Sequence, residues 1–198
     1  MITFLNNSEN EPFKYFRSKY EYALSKKQRV IQAASISSFS NKKNEVDARF
    51  VNIKFLDREE FIFFTNYNSP KSEDFLSHDQ IAVSIFWNKI DFQVRMKAKI
   101  DKKDKEYNQE YFLNRSPEKN ALAIASKQSN EIKNYQAVVD NYKKVFKNHD
   151  LKKCPDYWGG FSFKPYVFEF WEGHENRLNR RLKYELFNDS WNKSILQP

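Results

Sequence analysis

Only three glycines occur in 198 residues, at positions 159, 160 and 173. Dinucleotide fingerprints and P-loops need several glycines so that backbone can approach phosphate closely, and this chain can form neither. Any phosphate it binds must be held by arginine and lysine side chains, hydroxyls or helix N-termini. Cys154 is the single cysteine, which excludes an intrachain disulfide and fits a cytoplasmic location. Its three histidines, His78, His149 and His174, are too dispersed to form a metal site with it. No apolar run approaches the roughly 20 residues that cross a bilayer, so no membrane partner is expected. The N-terminal MITFLNNSENEP lacks the basic start and apolar stretch of a secretory signal. Nor does the sequence offer a nucleophile–base pair, which leaves the chemistry to a bound cofactor.

Aromatic residues are plentiful, with 19 Phe and 11 Tyr, and they supply core material for one domain spanning 1–198. The net charge of +8 raises the question of nucleic acid. The lysines, however, are spread along the chain with acids beside them, as in KDKEYNQE, so no nucleic-acid partner is expected. A small phosphorylated ligand explains a modest positive excess equally well.

Periodicity divides the chain into an N-terminal helical segment (1–25) and a barrel with packed helices (26–198). EPFKYFRSKYEYALSKKQ has the apolar spacing of an amphipathic helix. RVIQAASIS, ARFVNIKFL, EFIFFTN and QIAVSIFW read as strands closely linked by polar turns, which predicts an antiparallel meander closing into a barrel. In IDFQVRMKAKI, Ile90, Phe92, Val94, Met96, Ala98 and Ile100 alternate with polar residues, so Gln93 and Arg95 face away from the core. Ser69-Pro70 and Ser116-Pro117 look like helix starts, with proline at the first helical position. Further helices are expected over KDKEYNQEYFLNR and NEIKNYQAVVDNYKKVF, and two closing strands around SFKPYVFEFWEG and RRLKYELF. The fold class is α+β, with a mainly antiparallel barrel and surrounding helices.

Eight segments, in order, carry a resemblance: RFVNIK, FFTNYNSPK, FWNKIDFQVR, YFLNRSP, ASKQS, WGG, FWEGHENRLNRR and WNKSILQP. Together the chain resembles the pyridoxamine 5'-phosphate oxidase family of FMN enzymes over nearly its whole length. The resemblance implies an FMN-binding split barrel and a homodimer with two FMN sites at the subunit interface. It also implies oxidation of pyridoxamine or pyridoxine 5'-phosphate to pyridoxal 5'-phosphate, with O2 as acceptor and hydrogen peroxide as by-product. By the same resemblance, FMN contacts fall on Arg49, Phe50, Val51, Asn52, Ile53, Lys54, Phe64, Thr65, Lys71, Gln93, Gln128, Ser129, Trp171 and Arg181. Lys54, Tyr111, Arg115 and Lys119 correspond to the substrate-phosphate site, and Arg177 and Asn179 to the pair over the substrate ring.

Elementary chemistry agrees with part of this placement. Arg49, expected to begin a strand, and Lys71, in the first turn of a helix, suit charge-assisted bonds to a phosphate. Tyr111 and Arg115, four apart on an expected helix, would share a face. Taken singly, these residues would also serve as solvated ends or core-edge aromatics. Six positions depart from the family pattern. Asn179 stands where it has histidine, Arg180 where it has aspartate, Pro70 and Phe92 where it has arginine, Phe64 where it has tyrosine, and Lys119 where it commonly has serine. Asn179 cannot titrate or carry charge, which leaves two alternatives open: a related flavin oxidase with another substrate, or binding without turnover.

Overall fold

A computed structural model describes residues 1–198. The first half of the chain forms β1 (Thr3–Leu5), α1 (Glu11–Ser25), β2 (Ala33–Ser40), β3 (Glu45–Asn52), β4 (Phe55–Asp57), β5 (Glu60–Asn66), α2 (Pro70–Ser77), β6 (Gln80–Trp87) and β7 (Phe92–Lys102). The second half forms α3 (Lys105–Leu113), α4 (Pro117–Ala125), α5 (Tyr135–Asn148), β8 (Trp158–Glu172), β9 (Arg180–Phe187) and β10 (Ser190–Leu196). The class is α+β, as the sequence implies.

Apolar alternation produces the strands where it is cleanest. Val94, Met96, Ala98 and Ile100 of β7 are all buried, while Arg95, Lys97 and Lys99 are exposed. On α1, Phe13, Phe16, Tyr20 and Ala23 form the buried stripe. Phe16 meets Phe61 edge-on at 5.1 Å, and the Tyr20 hydroxyl accepts the Ile2 N–H at 2.8 Å. Each such aromatic contributes roughly 1.5–3 kcal/mol through its burial, enough to lock the helix onto the sheet.

The strand order corrects the expected meander. It runs β1-β4-β5-β8-β7-β6-β2-β3, with β9 on β8 and β10 on β9. β8 inserts between β5 and β7, and β6 pairs with β2 rather than β5. Every recorded pairing is antiparallel except β1 with β4. Ala98 pairs with Pro165 and Lys97 with Val167, so Tyr166 is the extra residue of a bulge in β8. Proline cannot donate to a ladder, and a bulge is where a sheet interior tolerates it.

Other expected boundaries shift for local reasons. Val30 has φ 51°, a left-handed conformation incompatible with a strand, so β2 begins at Ala33 rather than Arg29. The segment ARFVNIKFL breaks at Ile53–Lys54, whose N–H groups bond Gln32 and Ile62 carbonyls. β3 starts at Glu45, which places Arg49 within the strand rather than at its beginning. α3 ends at Leu113, so Arg115 lies beyond it. α5 starts at Tyr135 because the Asn134 side chain caps it through the Ala137 N–H at 2.9 Å. β1 and β10 add two strands to those the periodicity predicts.

Candidate active site

Arg49 of β3 and Lys71 of α2 bring two cations together between these elements. Pro70 opens α2 and Lys71 follows in its first turn, only 8% exposed. The Lys71 ammonium donates to the Ser69 hydroxyl at 3.0 Å and forms no ion pair. Burial first, and then the neighbouring Arg49 guanidinium, push its pKa down to about 8, with Asp47 opposing. Arg49 donates to the Ser38 hydroxyl at 2.7 Å and to Asp47 at 2.7 Å, with Asp74 3.7 Å away. Ser38 and Asp74 are themselves buried and bonded at 3.2 Å, so the guanidinium is held in one orientation. A buried ammonium beside a guanidinium suits an anion such as the FMN phosphate, which would lie at the N-terminus of α2.

Further expected contacts meet at the end of β5. The Thr65 hydroxyl donates to Gln128 Oε1 at 3.0 Å, joining two residues expected to contact the same ligand. Ser129 has φ 68°, a strained conformation for a non-glycine residue. Val51 of β3 and Ile53 just beyond it are buried, while Phe50 and Asn52 face outward, Phe50 being 77% exposed. Alternation thus divides the expected 50–53 contacts between the two faces of the strand.

A second group of cations, Lys54, Arg115 and Lys119, lies near the aromatic cluster of Phe64. Its ring stacks on Tyr111, with centroids 3.6 Å apart and planes 11° apart, and Trp158 extends the stack. Arg115 lies over Trp158, its Cζ 4.3 Å from the ring centroid. Tyr111 and Arg115 therefore meet through Trp158 and not along one helix face, a correction that follows from the early end of α3. Burial lowers the pKa of Arg115 and raises that of Tyr111. Arg115 Nη1 is buried without a hydrogen-bond partner. Burial, then Lys119 and Arg115, hold Lys54 below the ordinary lysine value. None of Lys54, Arg115 and Lys119 forms an ion pair.

The remaining predicted residues gather elsewhere. Gln93 pairs with Trp171, and Trp171 with Arg181, so three expected FMN contacts form one row across β7, β8 and β9. Arg181 is bound to Glu169 at 2.7 Å and to the Gln197 carbonyl at 2.9 Å. Arg177, at φ 58°, and Asn179 lie in the loop between β8 and β9. Asn179 Oδ1 accepts the His174 N–H at 3.2 Å, which closes that loop. Phe92, one of the departures, is buried in the core against Trp87.

The two gatherings sit at opposite ends of β8. Thr65 pairs with Gly159 and Gln93 with Trp171, twelve positions apart (171 − 159). At 3.3 Å per residue, that separation is up to about 40 Å along the strand. Several partners carry no local sequence signal: Ser38 and Asp74 beside Arg49, Ser69 beneath Lys71, and Trp158 beneath Arg115. Only the WGG segment of the resemblance hinted at Trp158.

Comparison with known proteins gives a consistent picture. A family profile described as "Pyridoxamine 5'-phosphate oxidase" matches residues 22–149. One described as "Pyridoxine 5'-phosphate oxidase C-terminal dimerisation region" matches residues 158–198. A pyridoxine/pyridoxamine 5'-phosphate oxidase from Vesicomyosocius okutanii is 31% identical, covering 96% of this chain and 90% of the relative. Another, from Leptospira biflexa, is 34% identical over 84% of this chain and 79% of the relative. Among solved structures, PhzG from Burkholderia lata 383, in complex with tetrahydrophenazine-1-carboxylic acid, superposes with a TM-score of 0.88. It is 22% identical, covering 95% of this chain and 93% of that one. An FMN-binding protein from Nostoc punctiforme superposes with a TM-score of 0.75 at 14% identity, covering 92% of this chain and 97% of that one. These structural likenesses establish the split-barrel fold.

Proposed function

Since the chain belongs to the pyridoxamine 5'-phosphate oxidase family of FMN-dependent oxidoreductases, we propose that it converts pyridoxine or pyridoxamine 5'-phosphate to pyridoxal 5'-phosphate, with O2 as acceptor and hydrogen peroxide released. One observation supports this reading: Lys54, Arg115 and Lys119 form a cationic group without a carboxylate partner, apart from the pair of Arg49 and Lys71. Two cationic groups suit two phosphates, one on the cofactor and one on the substrate.

In this reading Arg49 and Lys71 hold the FMN phosphate. Thr65, Gln128, Ser129 and the 50–53 backbone line its polar chain. When bound, FMN supplies the two-electron acceptor for the substrate's 4' carbon and passes the electrons to O2. Lys54, Tyr111, Arg115 and Lys119 fix the substrate phosphate, which orients the ring. The stacked Phe64, Tyr111 and Trp158 exclude water from one side of that group. Arg177 and Asn179 act over the substrate ring, and Gln93, Trp171 and Arg181 contact the flavin. The separation along β8 supports a site shared by two copies, one giving the two cationic groups and the other giving Gln93, Trp171, Arg177, Asn179 and Arg181. The family's C-terminal dimerisation region, matched here, supports the homodimer.

Asn179 favours a second reading, a related flavin oxidase acting on a different flat anion, or binding without turnover. Purified protein should be yellow and should release peroxide when either 5'-phosphate is added. Flavin-loaded protein that releases none with both substrates sinks the first reading in favour of the second.

A further inference from the structure

We propose that His174 is a positioning residue for Arg177: it clasps the loop between β8 and β9 so that Arg177 is held in place before a substrate arrives. This deepens the vitamer reading and rests on it for what Arg177 meets. The loop spans 173–179, between Glu172 and Arg180, which pair in register. A loop of that length exceeds a tight hairpin turn, so it keeps one shape only through bonds of its own. Its near end is fixed. The Gly173 N–H donates to the Asp91 carbonyl at 2.9 Å, and a Cβ at Gly173 would collide with the Asp91 carboxylate. Glu172 is in turn paired with Lys19 at 3.2 Å.

Three hydrogen bonds cross the loop, and all three involve His174. Its N–H donates to Asn179 Oδ1 at 3.2 Å, its carbonyl accepts the Arg177 N–H at 2.8 Å, and its ring Nδ1 accepts the Asn176 N–H at 3.3 Å. An N–H aimed at Nδ1 makes that nitrogen the acceptor and leaves the ring proton on Nε2. The carbonyl bond closes a turn over 174–177. The ring bond braces the backbone two residues on, as an asparagine side chain does in many turns. Arg177 sits at φ 58°, a conformation that a non-glycine residue keeps only when its surroundings hold it. The family has histidine at position 179. Here Asn179 commits its oxygen to the loop and leaves only its amide nitrogen for a ligand, while a histidine braces the same loop from position 174.

The test uses FMN-loaded protein and the variants His174→Ala and His174→Asn. Asparagine can still accept the Asn176 N–H, and alanine cannot. Amide hydrogen exchange across 174–177 should be about tenfold faster in His174→Ala and near parental in His174→Asn. With pyridoxamine 5'-phosphate, His174→Ala should lose about tenfold in kcat, and His174→Asn should recover most of it. KM should change less than kcat, because the phosphate contacts lie at the other gathering. Flavin affinity and melting temperature should match the parent, which separates a misplaced Arg177 from a general loss of structure. Unchanged exchange in His174→Ala overturns the proposal. So does faster exchange with full kcat, or a failure of His174→Asn to restore protection. A parent that releases no peroxide with either 5'-phosphate sinks the vitamer reading alone, and the exchange pattern then decides the clasp by itself.

Discussion

Lys71 is a residue whose environment is unfavourable until a ligand arrives. Its pKa falls from the ordinary 10.5 to about 8 through burial and the adjacent Arg49. A depressed lysine pKa means the folded state disfavours the charged form. For this group, stability of the cofactor-free protein should therefore rise with pH between about 8 and 10.5, where the unfolded chain holds the extra proton. Anion binding has the opposite trend, because the ligand prefers the protonated lysine. Affinity for FMN should fall as pH rises above about 8, whereas Lys71→Arg should flatten that fall. Flavin fluorescence quenching measures both, and a flat profile for the parent would contradict the placement. Arg49→Ala should weaken FMN tenfold or more, about the 1.5–3 kcal/mol of one charge-assisted bond. The resemblance made Arg49 and Lys71 legible in the sequence, because their blocks are contiguous. Ser38 and Asp74 were not legible, since they reach Arg49 only when β2 and α2 pack together.

At the scale of elements, β8 and α3 approach closely at Gly159. A Cβ on Gly159 would collide with the Tyr67 hydroxyl and the Asn108 amide. Those groups are committed already: Asn108 accepts the Gly160 N–H at 2.8 Å, and the Tyr67 hydroxyl donates to the Gly160 carbonyl at 2.9 Å. Gly159→Ala should therefore lose roughly 1–3 kcal/mol through overpacking, read as a lower melting temperature. An unchanged melting temperature would mean that this corner is slack. Helices and strands with strong periodicity were readable, as β7 and α1 show. Their pairing was not, because β8 joins β5 to β7 across a long sequence separation that no local pattern encodes. The early end of α3 was also hidden, and with it the route by which Tyr111 and Arg115 meet.

For the whole molecule, the decisive test is complementation. Arg115→Ala removes a residue from one gathering and Arg177→Ala from the other. Each variant alone should be severely impaired in peroxide release. Mixed and refolded one to one, half of the dimers would be heterodimers with one intact site of two. About a quarter of parental activity should then return. No recovery, in heterodimers verified by differential tags, would place both residues in the site of one chain.

The bulge at Tyr166 acts as a phase shifter in β8. Before it, Phe161 and Phe163 point into the core from odd positions; after it, Phe168 and Phe170 do so from even positions. An unbroken ladder would carry Trp171 inward and Phe170 outward. One inserted residue thus lets a single strand turn Trp158 to one gathering from an even position and Trp171 to the other from an odd one, both on the face opposite those phenylalanines. The two ends of the candidate site are kept in step by a half-period of backbone, and neither end can be re-phased without re-phasing the strand between them.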